Sequence, residues 1–388
     1  MSRRFGIPLG MTFVCLLTVA CSTAGAAVAG RAQSGLAVSA RPAPGGVLST
    51  ETDVTTTKAV TLNGAGANSI EPFFQRVFYD YNKLDPLTTV TYSPAGSSVG
   101  ITDIEQNTVN FGDSEVPMAA TDLAQETAGP ILQIPVDLGG VAISYNIPGI
   151  GKQRLKLDGP TLARIFDGTI TNWDDPAIAQ ASGITDLPDL RIVPVHRADS
   201  SGPGYDLDQY LIDTAPAWVS AIGTSTPSKT WPLAKVGVGE QLNTGVATYV
   251  SQTRGAIGYI EYAYAYESHF TNVALKNADG AFVVPTERSI ALAGANATGL
   301  TPFNFNVVNE PGIGTYPLAN FSWTLVYRQQ PNLAEGIALG KLLYWVVTKG
   351  ERAAAALGYA PLPANVQRLS ILDIKRLENS AGKKIFAS

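Results

Sequence analysis

Residues 59–81 read Ala-Val-Thr-Leu-Asn-Gly-Ala-Gly-Ala-Asn-Ser-Ile-Glu-Pro-Phe-Phe-Gln-Arg-Val-Phe-Tyr-Asp-Tyr, and they hold a strand, a glycine turn and a helix in one run. Ala59 to Leu62 has the β-branched, apolar character of a strand. Ile70, Phe73, Phe74, Val77, Phe78 and Tyr81 then fall at i, i+3, i+4, i+7, i+8 and i+11, one face of a helix. A strand that enters a helix through glycines is the repeating unit of an α/β protein.

The same alternation continues outward. Thr88 to Tyr92 reads as a strand, followed by a helix bearing Ile101 and Ile104. Val141 to Tyr145, Arg191 to Val195, Gly255 to Tyr259 and Phe321 to Tyr327 are further strand candidates. Ala334 to Thr348 reads as a long helix with Ile337, Ala338, Leu342 and Trp345 on its apolar face. The expectation is a mostly parallel sheet covered on both faces, with no internal repeat at a solenoid period.

Composition narrows the function. The chain has 388 residues and 45% hydrophobic residues, enough for two or three domains or one large bilobed unit at roughly 150 residues per domain. A net charge of −5 offers no basic excess for a nucleic-acid backbone. Two histidines and two cysteines, the latter at positions 15 and 21, leave no nitrogen and sulfur set for a zinc or iron site. No cofactor or metal is expected.

The N-terminus has the layout of an export signal. Arg3 and Arg4 precede a mostly apolar run from Phe5 to Ala20, and small residues follow at 22–27. Leu17-Thr18-Val19-Ala20-Cys21 approximates a lipobox, in which Cys21 is lipidated and becomes the mature N-terminus; simple cleavage near Ala29 is the alternative. Residues 1–29 are therefore assigned to a signal or lipoprotein segment, and 30–57, rich in Ala, Gly, Ser, Pro and Thr, to a flexible linker. No other run of about 18 apolar residues occurs, which places the body outside the cytoplasm, beyond the membrane.

One junction type occurs three times. Gly64 to Ser69 leads into the helix at Ile70, Gly96-Ser97-Ser98-Val99-Gly100 follows a strand, and Arg197 to Gly204 precedes Leu207. Helix N-termini present unpaired N–H groups and the positive end of the macrodipole, and glycine lets the backbone approach a ligand. Taken singly, each turn is an ordinary cap. Together, with Arg197 as a bidentate donor oriented by Asp199, they suit a tetrahedral oxyanion. Gly96, Ser98 and Gly100 also match G-x-S-x-G, the hydrolase elbow. The HGGG oxyanion signature is absent, and only His196 and His269 are available as bases, so an enzyme is not the reading adopted.

These residues resemble the phosphate-binding proteins, PstS, of the high-affinity phosphate ABC importer. The likeness runs from about Leu62 to Pro363, through the first two turns, Val109 to Glu115, and His196 to Gly202. Framework segments match at Ile165 to Trp173, Gly255 to Tyr259 and Glu261 to Ala265, where Trp173 and the tyrosines read as packing. The resemblance implies a bilobed periplasmic-binding-protein fold of type II: two α/β lobes, a ligand cleft between them and two chain crossovers. Lobe I is expected over 58–140 and 318–388, and lobe II over 141–317, with hinge strands near Val141 and Pro317. It further implies a protein that binds inorganic phosphate and passes it to the permease and ATPase subunits of an importer; a monomer, attached to the membrane through the lipid on Cys21 and with no nucleic-acid partner, is expected. Carried over by position, the ligand shell is Asn68, Ser69, Ser97, Glu115, Arg197, Ser201, Gly202 and Pro203, with Asp199 orienting Arg197.

The shell departs from the family pattern at four positions. Asn68 stands where Thr is usual, Glu115 where Asp is, Ser200 where Gly is, and Pro203 where a Thr gives a hydroxyl and an N–H. Proline has neither donor. A buried carboxylate accepts a hydrogen bond from protonated phosphate but meets only acceptors on sulfate, which makes Glu115 the selector. The departures keep two alternatives open: another oxyanion or a phosphate ester as ligand, or a surface sensor that has lost its ligand.

Overall fold

Alternation of buried and exposed side chains sets the first strand, β1 (Val60–Gly66), in which Val60 and Leu62 face inward and Thr61 and Asn63 outward. The computed structural model describes residues 58–118, 122, 129–301 and 306–386. The signal segment, Cys21 and the linker over 30–57 lie outside the described residues. After β1 come α1 (Glu71–Leu84), β2 (Thr88–Pro94), α2 (Ser97–Glu105) and β3 (Phe111–Ser114). The long β4 (Ile131–Tyr145) leads to β5 (Lys156–Leu157), α3 (Gly159–Phe166), α4 (Pro176–Ser182), β6 (Val193–Arg197) and α5 (Gly202–Thr214). Next are α6 (Pro216–Ile222), β7 (Val238–Glu240), α7 (Leu242–Gln252), β8 (Ala256–Glu261) and α8 (Tyr262–Glu267). β9 (Ala274–Lys276), β10 (Phe282–Val283), α9 (Glu287–Asn296), β11 (Ala319–Tyr327), α10 (Leu333–Val346) and α11 (Ala364–Ile374) follow.

Eight strands form one sheet in the order β2-β1-β3-β11-β4-β8-β6-β7. The outer pairings, β2 with β1, β1 with β3, β8 with β6 and β6 with β7, are parallel. The three central ones, β3 with β11, β11 with β4 and β4 with β8, are antiparallel. The mostly parallel expectation therefore holds for the flanks and fails at the centre, where β4 and β11 run against their neighbours. Along β4 the partner changes: Ile131–Gly140 pairs with β11 and Val141–Tyr145 with β8. Glycines sit at the change of partner. Glu261 Oε1 accepts the Gly140 N–H at 3.0 Å, and a Cβ on Gly139 would lie 2.5 Å from that oxygen.

β4 is longer than expected because Pro135 interrupts the sequence pattern. Pro135 opposes Trp323 at a register shift in which Val136 is the extra residue, so the ladder bond that proline cannot make is not required. β6 and β8 begin one or two residues later than expected and run to Arg197 and Glu261. The largest core cluster takes in Phe73 and Phe74 of α1 and Phe111 of β3 on one side, and Ile143 of β4, Tyr210 of α5 and Tyr259 of β8 on the other. α1 buries Phe73, Phe74, Val77 and Tyr81, the face anticipated from periodicity.

Candidate functional site

Three helices begin where the two half-sheets meet. α1 starts after the β1 turn with no side-chain cap on Ile70, and α2 starts after Gly96, also without a side-chain cap. α5 starts at Ser201, whose Oγ accepts the Gly204 N–H at 3.0 Å and keeps its own proton for a second acceptor. Gly96 has φ +103°, and a Cβ there would stand 2.6 Å from the Ser200 carbonyl, so glycine is needed both for conformation and for approach. Ser98 Oγ lies 2.6 Å from Ser200 Oγ, closing the second turn onto the third. The hydroxyl that matched a hydrolase nucleophile is thus bonded to another serine.

Asn68, Ser69, Ser97, Glu115, Arg197, Ser201, Gly202 and Pro203 are all buried. Several of them touch. Glu115 donates its backbone N–H to Ser97 Oγ at 3.3 Å. A Cβ on Gly202 would fall 2.0 Å from Glu115 Oε2, so the absence of a side chain at Gly202 lets the carboxylate reach the start of α5. Arg197 is 2% exposed; it donates from Nε to Asp199 Oδ1 at 2.7 Å and from Nη2 to Asp199 Oδ2. Asp199 Oδ1 also accepts the Leu242 N–H at 3.0 Å, which fixes the carboxylate from the start of α7. Arg197 Nη1 and Glu115 Oε2 are buried with no protein partner. Burial pushes the Glu115 carboxyl up to about 7, although the Ser69 hydroxyl, the Arg197 charge and the Asn320 amide all favour its ionised form.

The Asn68 side chain has protein partners of its own. Its Oδ1 accepts the Asn243 N–H at 2.8 Å, and its Nδ2 donates to Glu71 Oε2 at 2.9 Å and to the Tyr264 hydroxyl at 3.0 Å. The side chain is consumed by these contacts. Pro203 occupies the second position of α5, where an N–H is otherwise one of the free donors of a helix start.

Residues that the sequence did not single out hold the turns in place. Tyr259 accepts the Arg197 N–H at 2.8 Å, and the Tyr359 hydroxyl donates to the Ser69 carbonyl. Asn243 Nδ2 donates to Ser69 Oγ at 3.3 Å, while its Oδ1 accepts the Glu261 N–H at 2.9 Å. Trp173 is packing, as expected, with its Nε1 donating to the Gly255 carbonyl. The signal for the tyrosines was present but ambiguous: a buried phenol needs a partner, and sequence does not say which. Among the described residues, no group of three or more His, Cys, Asp or Glu side chains could hold a metal ion.

A sheet whose halves exchange along one strand, with three helix N-termini, a buried arginine and a buried carboxylate meeting at the seam, defines an α/β protein built to hold a small anion. The PBP superfamily domain matches residues 51–349. The phosphate-binding protein PstS of Xylella fastidiosa is 36% identical over 312 residues, 80% of this chain and 84% of that protein. PstS of Pasteurella multocida is 35% identical over 336 residues, 85% of this chain and 95% of its own. The phosphate-binding protein of Stenotrophomonas maltophilia shares the fold, with a TM-score of 0.63 at 19% identity over 81% of this chain and 94% of that one. The chain belongs to the PstS family of phosphate-binding proteins, within the PBP superfamily, and has its bilobed periplasmic-binding fold.

Proposed function

We propose that this chain is an extracytoplasmic solute-binding protein that captures inorganic phosphate and delivers it to the permease and ATPase subunits of an ABC importer. The observation that carries the reading is the pair of opposite buried functions, Arg197 Nη1 and Glu115 Oε2, left unpartnered where three helices begin. Arg197 supplies the charge, and the first turns of α1, α2 and α5 supply N–H donors. Ser97 and Ser201 supply hydroxyls, and Ser69, Gly202 and the turn at Asn68 supply backbone. Glu115 accepts the ligand's own proton. Asp199 orients Arg197, and Pro203 contributes shape without a donor.

Lobe I comprises 58–140 and 318–388, and lobe II 141–317; the change of partner along β4 at Gly140 and Val141 supports that division. The protein works as a monomer and performs no chemistry on its ligand. No helix among the described residues is long and apolar enough to cross a membrane, and attachment is assigned to a lipid on Cys21.

The test is a calorimetric titration of the ligand-stripped protein with phosphate at pH 8, repeated in excess sulfate. Saturable one-site binding that sulfate does not displace, and that Arg197→Ala abolishes, supports the reading. Absence of phosphate binding, or unchanged binding in Arg197→Ala, overturns it; equal binding of sulfate would point to a less selective oxyanion carrier.

A further inference from the structure

Glu115 follows β3, Asp206 lies in the second turn of α5, and Asn320 opens β11, yet the three close on one small cavity with Pro117, Ala319 and Phe321. Their exposures are 5%, 5% and 4%. Glu115 Oε2, Asp206 Oδ2 and both amide atoms of Asn320 make no hydrogen bond of ordinary geometry, although the Asn320 amide lies close enough to both acids to favour their ionised forms. Buried polar atoms are almost always bonded, so four without such a bond around a single cavity mark a functional arrangement rather than packing.

The charges around Glu115 are unevenly divided. Arg197 from β6 faces Glu115, but two of its nitrogens are committed to Asp199. Against it stand Asp113 on β3, Asp137 on β4, Asp206 on α5 and Glu261 at the end of β8. The phenols of Tyr92 on β2 and Tyr359 beyond α10 also feel the Glu115 charge. Asp113 is held by the hydroxyls of Ser322 at 2.7 Å and Thr324 at 3.3 Å. Asp206 has no hydroxyl donor of this kind and only the Asn320 amide beside it.

We propose that Asp206 is a specificity-determining residue of the cleft: paired with Glu115 beside the Asn320 amide, it shares one proton with it, so that the cleft presents either a carboxylate acceptor or a carboxylic donor to the bound oxyanion. This inference rests on the phosphate reading and says how that site discriminates. Two carboxyls in one buried space do not both ionise near neutrality, and their protons leave in two steps that belong to the pair. Burial first and the Glu115 charge second hold Asp206 well above the ordinary carboxylate range, and Asn320 favours the ionised form of both acids.

The chemistry that follows separates two ligands. With the proton on Asp206, Glu115 accepts the P–OH proton of phosphate. With the proton on Glu115, the same oxygen donates to sulfate, which carries none. Once the pair has lost its proton, sulfate faces an acceptor and is excluded. Rejection of sulfate is therefore a property of pH and of residue 206.

The experiment measures phosphate affinity and sulfate competition on the whole protein from pH 5.5 to 8.5, in the native sequence and in Asp206→Asn. In the native protein sulfate affinity is level at low pH and falls about tenfold per unit above a midpoint. Asp206→Asn removes the second acid, so that midpoint moves down by a unit or more while phosphate still binds at pH 8. A midpoint that stays in place, or sulfate competition independent of pH in the native protein, overturns the inference. Loss of phosphate binding by the native protein would instead sink the reading beneath it. Infrared titration of the native protein gives a second readout if Asp206→Asn folds poorly. Asp113, Asp137 and Glu261 are also held above the ordinary carboxylate range, so the readout is the difference between native protein and Glu115→Gln at neutral pH: loss of one protonated carboxylic C=O band supports the shared proton, and a difference spectrum without such a loss overturns it.

Discussion

Asn68 Oδ1 accepts the backbone N–H of Asn243 at 2.8 Å, tying the turn after β1 to the start of α7 across 175 residues of chain. The Tyr264 hydroxyl completes the clasp. It accepts from Asn68 Nδ2 at 3.0 Å and lies 2.9 Å from the Asn68 carbonyl and 3.1 Å from Glu71 Oε2, either of which can take its proton. These bonds join the two half-sheets without using an atom that must touch ligand. Tyr264→Phe removes them at nearly constant volume and should cost about 1–2 kcal/mol of the joined state, the usual range for a buried hydrogen bond. We expect phosphate to bind roughly tenfold more weakly, with the loss in the dissociation rate. Stopped-flow release of phosphate measures it, and an unchanged rate would remove the clasp from the account.

Arg197 and Asp199 are expected to differ in size of effect. Arg197 is buried and keeps Nη1 free; Asp199 is 13% exposed at its side chain and also caps α7 through Leu242. Arg197→Ala leaves the ligand charge unpaired and should cost about 3–5 kcal/mol of binding, enough to abolish it in a micromolar titration. Asp199→Asn keeps the shape but weakens the hold on the guanidinium, for a loss of about 1–2 kcal/mol. Calorimetry on both variants gives the ranking, and an Asp199→Asn effect as large as that of Arg197→Ala would contradict it.

Pro203 sits at the second position of α5, in the one first turn of the three that also carries a capping serine. Pro203→Thr restores an N–H at the helix start and adds a hydroxyl. Each new donor to a charged ligand contributes about 1.5–3 kcal/mol when geometry is good, less the cost of fitting a side chain into a buried position. Phosphate affinity should rise by roughly tenfold or more. A direct comparison of dissociation constants decides it, and weaker binding would mean that the proline itself shapes the turn.

Legibility in the sequence followed the range of the interactions. α1 was readable because its buried face repeats at helical spacing, and the three glycine turns because a helix start near an anion needs small residues. The first ten residues of β4 were not, since Pro135, Gly139 and Gly140 break the pattern and make sense only beside the bulge at Trp323 and the carboxylate of Glu261. The Asn68 contacts to Asn243 and Tyr264 were not legible, because those residues lie far along the chain. The pairing of Asp206 with Glu115 was invisible for the same reason. An acidic residue one turn into a helix looks solvated until β11 is laid across it.

Glu351 offers a stability test away from the cleft. It is 9% exposed, accepts the Leu362 N–H at 2.8 Å through Oε2, and has no partner for Oε1. Burial pushes its carboxyl up to about 8, the Leu362 bond offsetting only part of that. In the unfolded chain the group titrates near its ordinary value of about 4.3. Between those two values the folded state holds more proton than the unfolded one, so stability is fully present at low pH and declines as pH rises through that window. Burial of Asp137 and Glu261 acts with the same sign. Glu351→Gln keeps an acceptor for Leu362 and removes the titration. It should leave the melting temperature at pH 5 nearly unchanged and raise stability at pH 8 by about 1–3 kcal/mol, flattening the pH dependence. Calorimetric melts of both proteins at the two pH values give the comparison; equal slopes with pH would show that Glu351 is not buried as a neutral acid.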